Sequence, residues 1–198
     1  MKLTLQAHNN NWERFNQRRQ RPAYKKVRDK ILHRDNFTCR FCQLRSDDLE
    51  VINYDGDYSN NVDKNLICAC ILCARCTLLD AYPLDYTGND RIIYLPELSQ
   101  EQLNQLCQVI FCKLQSSGEA AYNAKMLLAQ LQDRADWLDQ RTDCKLSHPA
   151  IFVHYLQNQK RDLALVNRLR WLPDPQDYQA QAKHWQTLLF ENPEEINF

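Results

Sequence analysis

Glycine is scarce in this 198-residue chain: Gly56, Gly88 and Gly118 are all it has, where an average protein carries roughly 7%. No two are close together. Neither a Walker loop nor a GxGxxG dinucleotide loop can be written, because both need clustered glycines to bring backbone N–H groups up to phosphate. Long apolar runs are missing too. No stretch approaches the roughly 18 consecutive apolar residues of a membrane-spanning helix, and residues 1–15 lack the sustained apolar segment of a secretory signal. The chain is expected to be cytoplasmic, without direct membrane insertion. Histidine is absent between His33 and His148, and net charge is absent altogether, with 25 basic residues against 25 acidic ones. A neutral chain has no long-range steering toward nucleic acid.

The composition that remains, 44% apolar and 25% charged, is that of an ordinary globular protein, and the length suits one domain or one with a small satellite. Charge is segregated. Residues 14–45 carry eleven Lys or Arg against Asp29 and Asp35, whereas residues 46–100 carry ten acids against three bases. A basic segment of this kind either meets phosphate or is answered by its acidic neighbour.

Residues 1–20 are polar and read as a poorly ordered arm, turning helical near Trp12 and Phe15. Pro22 suits a first helical turn, and Tyr24, Val27 and Ile31 form the apolar stripe of a basic amphipathic helix that ends near Asp35. Residues 49–54 and 92–95 read as short strands, with Asp55-Gly56-Asp57 a turn between the first of them and an apolar, cysteine-laden run from Asn65. After Pro96 the pattern becomes helical. Ser99 with Gln102 is a capping-box pair, and Leu103, Leu106, Ile110 and Leu114 form a stripe that Gly118 can end. Further helices are expected over 119–140, from Pro149, over 160–172 and over 177–190, followed by an acidic, frayed tail. The expected fold class is α+β: a small zinc-knuckle module, whose ββα order is what a family resemblance of its cysteine run implies, followed by a mostly α-helical half. The expected division is an arm at 1–20, the module at 21–96 and a helical region packed on it at 97–198.

Six of the nine cysteines lie between Cys39 and Cys76. In a reducing compartment such a cluster points to metal rather than disulfides. Cys39 and Cys42 form one CxxC; Cys70 with Cys73, or Cys73 with Cys76, forms another. Two such turns supply the four ligands of a tetrahedral zinc ion, and four thiolates leave no position for water, so one structural Zn2+ is expected. Spacing leaves open which pair completes the set, and whether Cys68 or Cys76 takes part or holds a second metal. Cys107, Cys112 and Cys144 read as core or surface thiols. His148, His154 and His184 read as structural, and Trp137, Trp171 and Trp185 as core; any tryptophan left exposed would be a natural anchor for a partner peptide.

The run from His33-Arg-Asp through Cys39 and Cys42, then Leu49-Glu-Val-Ile-Asn-Tyr-Asp-Gly-Asp57 to Asn60-Asn61, then Asn65-Leu66 to Cys70 and Cys73, resembles the zinc-knuckle form of the HNH endonuclease module. The likeness covers about residues 30–80. It implies Cys39, Cys42, Cys70 and Cys73 as the metal ligands. It also places the family's paired histidines on Ile52 and Asn53, and the histidine after the second CxxC on Ala74. Asparagine is no general base and isoleucine no metal ligand, so the resemblance implies the fold without the activity, and no enzyme is expected. Recruiting His33, or Asp55 and Asp57, would be the remaining route to catalysis; their bland readings are a helix end and a turn.

Over most of its length the chain is similar to the IcmJ/DotN family of the Dot/Icm type IVB secretion system, on the basic lead-in, the Cys-Arg-Phe-Cys knuckle, the cysteine-rich run from Ile67 to Cys76 and the helical second half. That resemblance implies a scaffold subunit of the coupling complex. It would bind a C-terminal extension of the coupling ATPase and sit with other coupling-complex subunits, recruited to the inner membrane. The alternative is a DNA-binding or degenerate nuclease protein that would use Lys25, Lys26, Arg28 and Lys30 on the basic helix.

Overall fold

Gln6 donates its backbone N–H to the carbonyl of Cys76 at 2.9 Å and accepts from Leu79 N–H at 3.0 Å. Residues expected to form a loose arm are therefore tied into the middle of the chain. Leu3 and Phe15 are buried, and helix α1 spans Asn11–Arg19. Its start is held by Asp80, whose carboxylate accepts the N–H of Trp12 at 2.8 Å. The computed structural model describes residues 1–188; the end of the helix expected over 177–190 and the acidic tail lie outside the described residues.

Helix α2, Pro22–Arg34, opens with proline at its first turn, where the missing N–H costs nothing. Tyr24 and Ile31 are buried as the stripe predicts, but Val27 is exposed and Leu32 joins the core instead. The knuckle follows. Thr38 and Arg45 form an isolated bridge, Cys39 N–H donates to Leu44 at 2.8 Å, and Gln43 adopts a left-handed conformation that closes the turn. Strands β1, Glu50–Asn53, and β2, Leu66–Ala69, pair antiparallel with Val51 opposite Cys68. Helix α3, Ile71–Cys76, follows directly. This is the expected ββα order.

The second half holds strand β3, Arg91–Tyr94, then α4, Gln100–Leu114, α5, Glu119–Asp139, and α6, Pro149–Gln157. Both halves of the Ser99 capping box form: Gln102 N–H reaches Ser99 Oγ at 3.2 Å and Ser99 N–H reaches Gln102 Oε1 at 2.8 Å. Gly118 does not end α4. It precedes α5 at φ 74° and ψ −150°, a region open essentially only to glycine.

Residues 160–172 do not form one helix. Asp162 caps a single turn, α7, Leu163–Val166, and the chain then extends into β4, Leu169–Leu172, which pairs antiparallel with β3, Trp171 opposite Ile92. The physical reason is non-local: β3 offers a free edge, and Trp171, fully buried, fills the space between that edge and α4. Helix α8, Gln179–Gln186, packs on α4 and buries Trp185. The architecture is α+β, with two small antiparallel sheets and a largely helical second half. No helix among the described residues is long and apolar enough to cross a membrane.

Candidate metal centre

The knuckle and the start of α3 converge. The Sγ atoms of Cys39, Cys42, Cys70 and Cys73 all lie within 4.8 Å of one another, and all four residues are buried. Cys70 caps α3 and Cys73 stands three residues on, so both side chains share one side of the helix. The knuckle brings the other two from across the sheet. Cys42 and Cys70 sulfurs are 3.5 Å apart, far from the roughly 2.05 Å of a disulfide. A tetrahedral ion with bonds of about 2.3 Å separates its sulfurs by about 3.8 Å. The spacing fits a metal.

The electrostatics fit too. Burial raises the Cys39 thiol, but hydrogen bonds from Cys42, Cys70 and Cys73 outweigh it and hold Cys39 well below the ordinary value. Burial pushes Cys70 and Cys73 well up, and their hydrogen bonds to Cys39 and Cys42 push them further. A divalent ion at the centre of the cluster would let all four thiols ionise. These four cysteines could therefore hold a metal ion.

The other two clustered thiols stand apart. Cys68 points to the carbonyl of Ile31 at 3.6 Å, and burial lifts it to about 12. Cys76 donates to its own helix at Leu72, 3.2 Å away. Cys107 and Cys112 are buried and Cys144 is exposed. Among the described residues no further group of three or more potential ligands converges. His148 Nε2 lies 2.9 Å from the carbonyl of Tyr86, and His184 Nε2 lies 3.0 Å from Asp47 Oδ1. Trp137, expected in the core, is 39% exposed; it stacks on Tyr94 with Arg141 above it.

At the positions that the HNH resemblance would assign to histidines, Ile52 and Ala74 are buried apolar side chains and Asn53 is buried and fully engaged. Asn53 Nδ2 donates to the carbonyls of Asp57 and Asn60 at 3.0 and 2.8 Å. Its Oδ1 accepts from Arg18 Nη1 at 2.5 Å. Arg18 also reaches Asn61 Oδ1 at 3.0 Å and the Val51 carbonyl, and lies over the rings of Tyr24 and Tyr58 at 5.1 Å each. His33 is exposed against Phe37; Asp55 and Asp57 are exposed and bonded within their loop. Sequence reasoning missed Arg18, which sits in a stretch read as disordered; its spacing from the buried Phe15 on α1 was the available signal.

Part of the basic segment, on α1 and α2, meets the acidic stretch through side chains and backbone carbonyls. Arg19 pairs with Glu50 at 2.9 Å and Lys30 with Asp63. Arg28 binds the carbonyls of Asp47 and Leu49, and Arg34 those of Asp63 and Leu66.

Fold and site together define an α+β protein built on a ββα knuckle with a buried four-cysteine cluster. No family model matches the chain. It is 30% identical over 189 residues to the type 4 apparatus protein DotN of Legionella pneumophila, an alignment that covers 92% of this chain and 88% of that protein. The chain belongs to the DotN family, as the similarity of its knuckle and helical half implied.

Proposed function

We propose that this chain is a zinc-stabilised, non-catalytic scaffold subunit of a type IVB secretion coupling complex. It binds an extended segment of the coupling ATPase and supports effector export from the cytoplasmic face of the inner membrane. The observation that carries this reading is the relationship, over nearly the whole chain, to a type 4 apparatus protein.

The site supports it. Cys39, Cys42, Cys70 and Cys73 would hold one zinc ion, closing its coordination shell so that no position is left for water or substrate. Zinc supplies folding free energy to a module whose own sheet has only two short strands. Asn53 has no useful basicity, and Arg18 occupies its oxygen. The knuckle and the helical half then act together as a fixed surface for a segment that orders on binding. Trp137, exposed beside Arg141 on α5, is the type of side chain that anchors such a segment.

The test is co-purification with the C-terminal extension of the coupling ATPase, with nuclease present and in moderately high salt. A stoichiometric complex is expected. A folded, zinc-loaded chain that makes no complex would sink the role, and salt-sensitive retention of DNA would favour the nucleic-acid reading in its place.

A further inference from the structure

Three side-chain amides run down one side of α4 at four-residue spacing: Gln100, Asn104 and Gln108. All are buried, Asn104 completely. Amides on a helix usually face water, and buried ones need partners. Here many of the partners are sulfur. Asn104 Nδ2 lies 3.2 Å from Cys73 Sγ and 3.7 Å from Cys76 Sγ. Gln108 Nε2 lies 3.4 Å from Cys70 Sγ and 3.5 Å from Cys42 Sγ. Three of the four clustered cysteines therefore receive an N–H from the helical half of the chain.

The orientation of Asn104 is set from behind. Gln100 Nε2 donates to Asn104 Oδ1 at 2.9 Å, which turns the Asn104 N–H groups toward sulfur. Gln100 is itself clamped to both backbone groups of Trp171: its Nε2 donates to the carbonyl and its Oε1 accepts the N–H, each at 2.9 Å. A relay of hydrogen bonds thus runs from β4 through α4 to Cys73. One turn away, Gln105 Nε2 donates to the backbone carbonyl of Cys42 at 2.8 Å.

We propose that Asn104 and Gln108 are outer-shell donors to metal-bound thiolates, and that Gln100 is a positioning residue that keeps Asn104 donating. This rests on the four-cysteine metal reading. A dication held by four thiolates carries a net charge of −2, and burying that charge is costly unless donors surround it. N–H groups aimed at sulfur spread the charge and make the thiolates less basic. Neutral thiols are weak acceptors, so the same amides are poorly satisfied when the metal is gone. Metal loading and the docking of α4 on the ββα module are then one cooperative event.

The experiment uses the full chain purified with zinc, beside the variants Asn104→Leu, Gln108→Met, Gln100→Met and Gln105→Met. Zinc per chain, the rate of zinc transfer to a chromogenic chelator, and the sulfur-to-metal charge-transfer band after cobalt substitution are measured. Hydrogen exchange in α4 is followed with and without metal. One zinc per chain is expected, with transfer roughly tenfold faster in the first three variants and the charge-transfer band moved to lower energy. Gln105→Met loses no bond to sulfur and should leave the band in place. Removing zinc from the unaltered chain should expose the α4 amides together with those of the knuckle. Variants that fold, hold one zinc, release it at the unaltered rate and keep the band overturn the assignment. Should Asn104→Leu fail to fold, Gln108→Met and the exchange measurement decide, and α4 protection indifferent to zinc overturns the coupling. An unaltered chain that holds no metal refutes the metal reading itself, a result separate from either.

Discussion

Arg18 Nη1 donates to Asn53 Oδ1 at 2.5 Å, and so a guanidinium from α1 engages the buried amide at the end of β1, a position that the HNH resemblance would assign to a histidine. The same group reaches the carbonyl of Val51. Arg18→Ala leaves the buried Asn53 oxygen unpaired, leaves the Val51 carbonyl with the Tyr24 hydroxyl at 3.3 Å, and removes a cation from beside two phenol rings. A loss of roughly 3 kcal/mol is expected, read as a lower midpoint in urea at unchanged slope. Asn53→His restores an imidazole without the rest of the machinery, and plasmid incubated with magnesium or manganese should stay uncut. Cleavage above the unaltered protein would mean the site is closer to catalysis than proposed.

The cysteines separate into two groups with opposite outcomes. On the proposed zinc site, Cys39→Ser or Cys70→Ser should lose zinc, solubility and partner binding together, because the ion would hold the knuckle to α3. Cys68→Ala and Cys76→Ala should keep one zinc and lose about 1–2 kcal/mol for the cavity. Zinc content by elemental analysis and thermal melts distinguish them. A folded, zinc-free Cys39→Ser that still binds its partner would contradict the structural-metal reading.

Asp55 gives a pH dependence of known sign. Desolvation raises its carboxyl, but the Asp57 N–H and the amides of Asn65 and Asn60 together outweigh it and hold the group below its ordinary range. A folded-state value lower than the unfolded one means that the unfolded chain binds the extra proton. The stabilisation is present above about pH 4 and is lost as pH falls through the depressed value. Asp55→Asn should therefore be less stable than the unaltered chain at pH 7, with the gap narrowing toward acid. Urea midpoints of both proteins from pH 7 downward measure this; a constant gap would show that the charge is not responsible.

Trp171→Phe keeps an aromatic ring but leaves a small cavity at a fully buried site and removes the indole N–H that reaches Tyr82 Oη at 2.7 Å. Tyr82 in turn donates to buried Asp90. About 2 kcal/mol of stability should be lost, again read from denaturant midpoints. A change below about 0.5 kcal/mol would mean that the network tolerates a buried phenol that donates to Asp90 and accepts nothing.

The parts legible in the sequence are those whose cause is local. Ser99 and Gln102 announce their capping box because both partners lie within one turn. Pro22 marks the start of α2, and the two CxxC spacings mark tight turns that aim paired sulfurs. The choice of Cys70 over Cys76 was not in the spacing at all; it came with the family resemblance. Misreadings have a common cause. Leu163 to Leu172 has apolar residues at helical spacing, yet half of it becomes β4 because β3, far earlier in the chain, supplies its hydrogen bonds. Asn104 and Gln108 are polar side chains on α4 whose identity gives no sign of the buried sulfur they face.

Sequence alone determined the knuckle, the helical second half and the missing histidines, since each follows from residue identity and short-range geometry, while the ββα order came with the family resemblance. Tertiary structure decided which thiols converge, that Arg18 engages Asn53, and that α4 turns its amides toward the cysteines. Those contacts join residues tens of positions apart. Their partners are chosen by burial and by the need to satisfy buried polar groups, which no local pattern encodes.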